Sequence, residues 1–429
     1  MPWLLLRIFW RERNCPALRR RWGERLALGL PISPAEKPIW IHAVSVGETV
    51  AATPIVNYLR ENSPSIPILF TTTTTTGASV AMNRFGDSVQ HVFFPYDLRT
   101  VVRRYMTHFD PRLLILIETE LWPNLLDECR EMGVPVVLAN ARLSENSAAR
   151  YRLIGTMAAQ MLGAITCFAA QGVKDAERFI ALGARADNVL TTGSIKFDTE
   201  LPASVLESGQ SLRRFLGANR PVLIAASTRD GEEEMLLQGF SELLHAHPNL
   251  LLLIAPRHPQ RFRSVVELCE RKGFAVESHQ RAKICKPDIQ IYVIDSMGEL
   301  PNFYAASDVA FVGGSLMPNG GHNVLEPAAL GVAVIVGPHT DNFSDIVQLL
   351  STAGALLIAD DVCGFVGHVA KLLADSDARY EAGAAGRRIV EENKGASVKI
   401  AQILDDILAH SGESISGTQI GLGRIKREL

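Results

Sequence analysis

From residue 39 onward, short apolar runs alternate with stretches whose apolar positions fall three and four apart, the signatures of buried strands and amphipathic helices. In the first half the runs begin at Ile39 and continue with Ile66 to Phe70, Gln90 to Phe94, Leu113 to Ile117, Val134 to Ala139, Thr166 to Ala170 and Val189 to Thr192. Helical spacing follows at Thr49 to Leu59, after Gly77, after Asp97 and near Trp122, while the threonine run 71 to 76 reads as a strand end leading into a loop. A polar stretch from Leu201 to Gly217 carries Pro202, Ser204, Ser208 and Gly209, the mark of a linker with a helical piece. Alternation resumes at Val222 to Ala226, Leu250 to Ala255, Ile289 to Ile294, Val309 to Val312, Val332 to Val336 and Ala355 to Ile358, and helical patterns from Phe365 to Leu408 finish it. The expectation is an α/β fold of two Rossmann-like, doubly wound domains facing a cleft. Their bounds are 31–200 and 218–410, joined by a linker at 201–217, with an N-terminal segment at 1–30 and a flexible tail at 411–429.

The stretch from Phe311 to Phe343 organises the second half. A strand stops at Gly313-Gly314, a second glycine pair precedes His322-Asn323, Val324 to Leu330 reads as a short helix, and Val332 to Val336 closes a βαβ unit. Ligands of open α/β sheets bind at that carboxyl end. Glycines allow close approach of backbone to a phosphate, and free N–H groups at a helix start, with Asn323 as N-cap, favour an anion. Glu326, three residues on, fits either a capping box or a carboxylate that accepts hydrogen bonds from ribose hydroxyls. Neither G-x-G-x-x-G nor a P-loop occurs, which removes the motif support for a dinucleotide or NTPase site.

Other strand ends carry polar groups that a core does not need. Glu48 falls at the junction between the first strand and its helix, and Glu118-Thr119-Glu120 follows the run LLILI. A carboxylate in such a place serves catalysis, binding or a helix N-cap. Lys196 lies at a similar exit and could meet phosphate or carboxylate as a point charge. Arg257, in PRHP after another strand, offers a planar fork to a phosphate, and Met297-Gly298-Glu299 opens a further helix.

Composition narrows the class. The 429 residues, 47% of them apolar, suffice for two domains, and a net charge of −3 gives no argument for a nucleic-acid partner. Six scattered cysteines without C-x-x-C or His clustering fit reduced thiols facing the cytosol and propose no metal site. The N-terminus differs: MPWLLLRIFW is too short to cross a bilayer, and seven arginines lie between Arg7 and Arg25. Residues 1–30 therefore read as a membrane-surface anchor, with Trp3, Leu4, Leu5, Leu6, Ile8, Phe9 and Trp10 supplying apolar surface and Arg19, Arg20, Arg21 and Arg25 meeting anionic head groups. A solvated basic helix packed on its own domain is the competing reading.

Taken together, HAVSVGE (42 to 48), FPYD (94 to 97), ETELWPN (118 to 124), NARLS (140 to 144), GSIKFD (193 to 198), PRHPQR (256 to 261), MGEL (297 to 300), FVGGS (311 to 315), GGHNVLEPAA (320 to 329) and GPHTDNF (337 to 343) resemble the bacterial Kdo transferases. Those enzymes move 3-deoxy-D-manno-octulosonic acid (Kdo) from CMP-Kdo onto the lipid A precursor in lipopolysaccharide assembly. The resemblance runs in order from about Arg11 to about Val398. It implies an inverting glycosyltransferase of GT-B fold, with acceptor bound by the amino-terminal half and CMP-Kdo by the carboxyl-terminal half. It also implies Glu48 as general base and Glu118 and Lys196 as transition-state stabilisers. CMP contacts would come from Pro256, Arg257, Met297, Gly298, Glu299, Asn323, Val324, Leu325 and Glu326, without cofactor or metal. The implied partners are CMP-Kdo, the lipid A precursor and the inner-membrane surface, at the cytoplasmic face of the bacterial inner membrane.

The chemistry of such a transfer agrees with those roles. Glu48 must take the acceptor proton as the oxygen attacks, and its place at a helix start should keep the carboxylate ionised at neutral pH. Positive charge from Arg257 or Lys196, with helix N–H groups, would stabilise the departing CMP. The family commonly begins with a longer apolar segment, so the short run here implies either a start placed upstream or a protein that lies on the bilayer without crossing it. A nucleotide-sugar epimerase of the same fold is the alternative, and a non-catalytic binding protein is disfavoured because Glu48, Glu118 and Lys196 are all retained.

Overall fold

A computed structural model of the protein describes residues 21–198, 201–282 and 284–410. The chain forms two compact units, one of residues up to Asp198 together with those from Lys394 on, the other of Thr199–Asn393. In the first unit β1 (Ile39–His42), β2 (Ile68–Thr72), β3 (Gln90–Phe93), β4 (Leu113–Ile117), β5 (Val136–Ala141), β6 (Cys167–Ala170) and β7 (Val189–Thr191) form one parallel sheet in the order β3-β2-β1-β4-β5-β6-β7. Its central strands are buried along their whole length because helices cover both faces, which is why they read as unbroken apolar runs. Chain order reverses between β1 and β4, and the carboxyl ends of these two strands flank the crevice that such a switch point creates.

The second unit repeats the plan with β8 (Val222–Thr228), β9 (Leu251–Pro256), β10 (Val276–Ser278), β11 (Ile291–Val293), β12 (Val309–Val312), β13 (Ala333–Val336) and β14 (Leu356–Ile358). The order is β10-β11-β9-β8-β12-β13-β14, again wholly parallel, with the switch between β8 and β12. The edge strand β10 has no counterpart among the sequence expectations. Of its three residues, Val276 and Glu277 are partly exposed and Ser278 is buried, and they carry no apolar run.

Three boundaries differ from the sequence reading. The stretch expected as one helix from Thr49 is two, Val46–Ala51 and Thr53–Asn62, because Pro54 lacks the N–H an uninterrupted helix would need and instead occupies the first turn of the second. The segment expected as a linker at 201–217 contains the helix Ser204–Leu216, which packs within the second unit on Leu300–Ala305. A Cβ on Gly209 would lie 2.4 Å from the Cβ of Ala305, so only glycine permits that approach. The helix Ala396–His410, expected at the end of the second domain, belongs to the first unit: Ile400, Ile403, Leu404 and Ile407 join the core of Ile39, Ile41 and Val56. Asp198 fastens its start by accepting from the N–H groups of Gly395 and Ser397 at 2.6 and 2.5 Å.

The N-terminal anchor expectation falls largely on residues outside those described. Its last two arginines are placed, and neither stands free for a head group. Arg25, 2% exposed, donates to the Thr73 carbonyl and lies 5.0 Å over the Phe93 ring, and Arg21 is paired with Glu24 and donates to the His91 carbonyl. These guanidinium groups cover the edge strand β3, whose Phe93 N–H is taken by Glu24 at 2.9 Å. Among the described residues no helix is long and apolar enough to cross a membrane.

Candidate functional site

In the first unit, Ser45 caps the helix after β1 in a reciprocal arrangement. Its Oγ accepts from the Glu48 N–H at 3.4 Å and donates to Glu48 Oε1 at 2.9 Å, while Oε2 of Glu48 accepts from the Val44 N–H at 2.7 Å. The side chain is thus folded back over the carboxyl end of β1. Burial pushes its carboxyl up to about 6, and the charge of Glu118 adds to the rise, against the pull of the Val44 and Ser45 hydrogen bonds and the Lys196 ammonium. Desolvation outweighs the hydrogen bonds, yet a group at about 6 is still mostly ionised at neutral pH, as expected.

Glu118 follows β4 directly and has φ +64°, a left-handed conformation that costs a non-glycine residue of order 1 kcal/mol or more. Its Oε1 lies 3.5 Å from Lys196 Nζ. Lys196 is carried by the single turn Ile195–Phe197, and that turn is held by fully buried Asn140, whose Oδ1 accepts from the Ile195 N–H at 3.1 Å. Asn140 is itself left-handed, φ +54°, at an irregularity in β5. Glu48, Glu118 and Lys196, all singled out from sequence, are thus brought together.

The sequence reading did not select Glu120 as a site residue. Burial raises its carboxyl to about 8, with the charges of Glu48 and Glu118 pushing the same way and Trp122 opposing. Three acidic side chains and one lysine therefore share this end of the sheet, and burial keeps the Glu120 carboxyl mostly protonated at pH 7. The flanking motifs have structural duties. Asp97 of FPYD accepts from the N–H groups of Asn124 and Leu125 at 3.1 and 2.9 Å, capping the helix Pro123–Met132 from another loop, and Ser144 of NARLS caps Glu145–Arg152.

In the second unit the glycine loop after β12 is shaped by a residue from elsewhere. Glu232, fully buried, accepts from the N–H groups of Gly314, Ser315 and Leu316 at 2.7, 2.9 and 2.9 Å and from Arg229 N–H at 2.8 Å. At this glycine pair, where the sequence suggested close approach of backbone to a phosphate, the backbone N–H groups are occupied by an internal carboxylate. A Cβ on Gly313 would meet Glu232 Oε2 at 2.9 Å, and one on Gly337 would meet the Ser315 carbonyl oxygen at 2.2 Å. These glycines serve close packing of the loop, and the sequence signal for Glu232, the acidic run after TRDG, resembles an ordinary first helical turn.

The second glycine pair and its helix remain at the strand ends. The helix is Leu325–Ala329 with Val324 at its N-cap, so Asn323, expected as the cap, lies one residue before that position. Its Oδ1 accepts from the Leu325 N–H at 3.0 Å and its Nδ2 donates to Glu326 Oε1 at 3.1 Å, a side-chain pairing in place of the reciprocal backbone bond of a capping box. Burial raises the Glu326 carboxyl while Asn323 and the charge of Arg257 oppose the rise, which places Arg257 and Glu326 in one electrostatic neighbourhood. Val324 and Leu325 have buried side chains. Pro256 ends β9 with Arg257 next to it, and Gly298, φ +88°, turns the chain between Met297 and Glu299 after β11. Arg229, on the loop after β8, was not picked out from sequence. Its Nε donates to His322 Nε2 at 3.3 Å and its Nη1 lies 2.5 Å from His258 Nε2. Beside it Ser227, like Glu118 and Asn140, is a left-handed non-glycine residue, φ +56°, where β8 is irregular.

Comparison with known proteins fits this arrangement. Residues 20–199 match the family model described as 3-deoxy-D-manno-octulosonic-acid transferase (kdotransferase), and residues 232–389 match that of glycosyl transferases group 1. The chain is 40% identical over 395 residues to the 3-deoxy-D-manno-octulosonic acid transferase of Haemophilus influenzae, covering 92% of each chain. It is 38% identical over 386 residues to that of Bordetella pertussis, covering 88% of this chain and 89% of the relative. The UDP-GlcNAc 2-epimerase of Neisseria meningitidis bound to UDP-GlcNAc superposes with a TM-score of 0.57 at 12% identity, over 87% of this chain and 100% of that one, a likeness of fold alone. The two parallel α/β units are those of a GT-B enzyme, and the chain belongs to the 3-deoxy-D-manno-octulosonic acid transferase family of glycosyltransferases.

Proposed function

We propose that the protein transfers Kdo from CMP-Kdo to a hydroxyl of the lipid A precursor, with inversion at the anomeric carbon and release of CMP, in lipopolysaccharide assembly. The observation that carries this reading is the gathering of Glu48, Glu118 and Lys196 at the carboxyl end of one sheet, with the Glu48 carboxyl raised to about 6. A base of that strength is ionised at neutral pH yet basic enough to receive a proton as the hydroxyl attacks. In the transfer the acceptor oxygen bonds to the anomeric carbon, the bond from that carbon to the CMP phosphate oxygen breaks, and the hydroxyl proton passes to Glu48. Glu118 stabilises the positive charge that develops on the sugar ring, and the Lys196 ammonium the negative charge on the departing phosphate. The second unit holds CMP through Pro256 and Arg257, Met297, Gly298 and Glu299, and Asn323, Val324, Leu325 and Glu326. Because the Val324 and Leu325 side chains are buried, their share is backbone contact, whereas Glu326 offers a carboxylate to the ribose hydroxyls.

The acceptor is an acylated lipid, so the first unit works at the cytoplasmic face of the inner membrane. In support, the turn after Glu145–Arg152 exposes Leu153 (86%), Ile154 and Met157 next to Arg150 and Arg152, an apolar tip flanked by cations. The test is incubation with CMP-Kdo and a synthetic lipid A precursor, followed by mass spectrometry. The expected product is the precursor heavier by Kdo, with an equal amount of CMP. Failure to form CMP in an acceptor-dependent way, or conversion of a UDP-sugar with no acceptor present, overturns the reading.

A further inference from the structure

Three arginines project from the carboxyl ends of β8 and β9, and they differ in what neutralises them. Arg261 is consumed by acids: it donates to Glu233 at 2.7 and 3.0 Å and to Asp230 at 3.1 Å. Among the described residues Arg229 has no such carboxylate partner. Its hydrogen bonds go to two imidazoles, through Nε to His322 and through Nη1 to His258. An imidazole that accepts at Nε2 carries its one proton on Nδ1 and is neutral, so both contacts orient the guanidinium without cancelling its charge. Both histidines lie within the influence of Arg257 as well as Arg229. Burial lowers His322 to about 4 with those arginine charges adding, and burial lowers His258 with Arg229, Arg257 and Arg261 adding. His322 is fixed in turn by the glycine loop, since a Cβ on Gly314 would meet its ring at 2.9 Å. The Arg229 guanidinium is thus held on a neutral, rigid pair of rings, and Arg257 is tied beside it by its N–H bond to the Thr228 carbonyl at 3.1 Å. This arrangement leaves Arg229 without an ion-pair partner among the described residues and suits an external anion.

We propose that Arg229 is a phosphate ligand of the nucleotide site, gripping the nucleotide phosphate together with Arg257 while His322 and His258 hold its fork in place. The inference rests on the nucleotide reading of the second unit and extends it to a residue outside the motif contacts. Arg229 contributes to retention of the phosphate and to stabilising it as a leaving group, and the two histidines are positioning residues.

Calorimetric titration of the full chain with CMP, UMP and cytidine, for the native protein and for Arg229→Ala and Arg229→Lys, tests this. A charge-assisted contact of this kind predicts that Arg229→Ala weakens CMP binding by roughly 10- to 100-fold and leaves cytidine affinity unchanged, with partial recovery in Arg229→Lys. A purely structural role would weaken nucleoside and nucleotide alike, and an unchanged ratio of CMP to cytidine affinity in Arg229→Ala overturns the proposal. If the native protein prefers UMP and Arg229→Ala loses that phosphate-dependent affinity, the proposal stands and the cytosine reading falls. If no monophosphate binds the native protein, both fall.

Discussion

Lys196 Nζ lies 3.5 Å from Glu118 Oε1, joining the loops after β7 and β4 although β5 and β6 lie between those strands in the sheet. The pair is closed by Asn140 on β5, which holds the turn that carries Lys196. It sits beside Glu48, and the two members act on that carboxyl in opposite directions, the Glu118 charge raising it and the Lys196 charge lowering it.

Replacing the lysine therefore has a signed consequence for pH dependence. On the proposed role of Glu48 as base, which must be deprotonated to work, the rate should rise with pH through about 6 in the native enzyme. In Lys196→Met the lowering influence is gone and the Glu118 charge is unopposed, so the acidic limb of kcat should move to higher pH, by about half a unit or more, while kcat falls. A limb that stays in place, measured from kcat across pH 5 to 9, would contradict the proximity argument.

Glu232 should be a stability residue. Its fully buried carboxylate serves four backbone N–H groups, those of Arg229, Gly314, Ser315 and Leu316. Glu232→Ala leaves these donors unpaired at a cost of about 3 kcal/mol or more, read as a lower urea midpoint for the second unit. A loss below about 1 kcal/mol would mean that the loop does not depend on this anion.

Glu120 should act on stability with the opposite sign. Its folded carboxyl is raised to about 8, above the ordinary range near 4.5, so the folded state holds a proton that the unfolded chain has released between those values. Stability then declines as pH rises through that window. Glu120→Gln removes the cost, and its melting temperature should exceed that of the native protein at pH 8 by more than it does at pH 5. An equal difference at the two pH values would show that burial does not perturb this group.

Much of the architecture was legible because a strand buried on both faces is mostly apolar, and among the described residues thirteen of the fourteen strands leave that trace in the sequence. β10 leaves none. The helix Ala396–His410 was read correctly as a helix and assigned to the wrong body, since an apolar stripe does not say which sheet it will cover. The same limit applies at the sites. Glu118 stood out because it follows LLILI directly, and Lys196 because it lies at a strand exit. Glu232 was hidden among neighbouring acids, and its partners lie more than eighty residues away, so the glycine loop looked open to a phosphate when its donors were already taken. Arg229 was likewise invisible, because its significance lies in two histidines brought to it by other loops.

The central claim, that Glu48 receives the acceptor proton, is tested most directly by Glu48→Gln, which keeps the size and polarity of the side chain and removes its basicity. With CMP-Kdo and lipid A precursor at saturation, the account predicts that kcat falls by about 100-fold or more, that the limb near pH 6 disappears, and that CMP affinity stays within about twofold of native. Transfer by Glu48→Gln at a rate near that of the native enzyme, with the same pH profile, would contradict it.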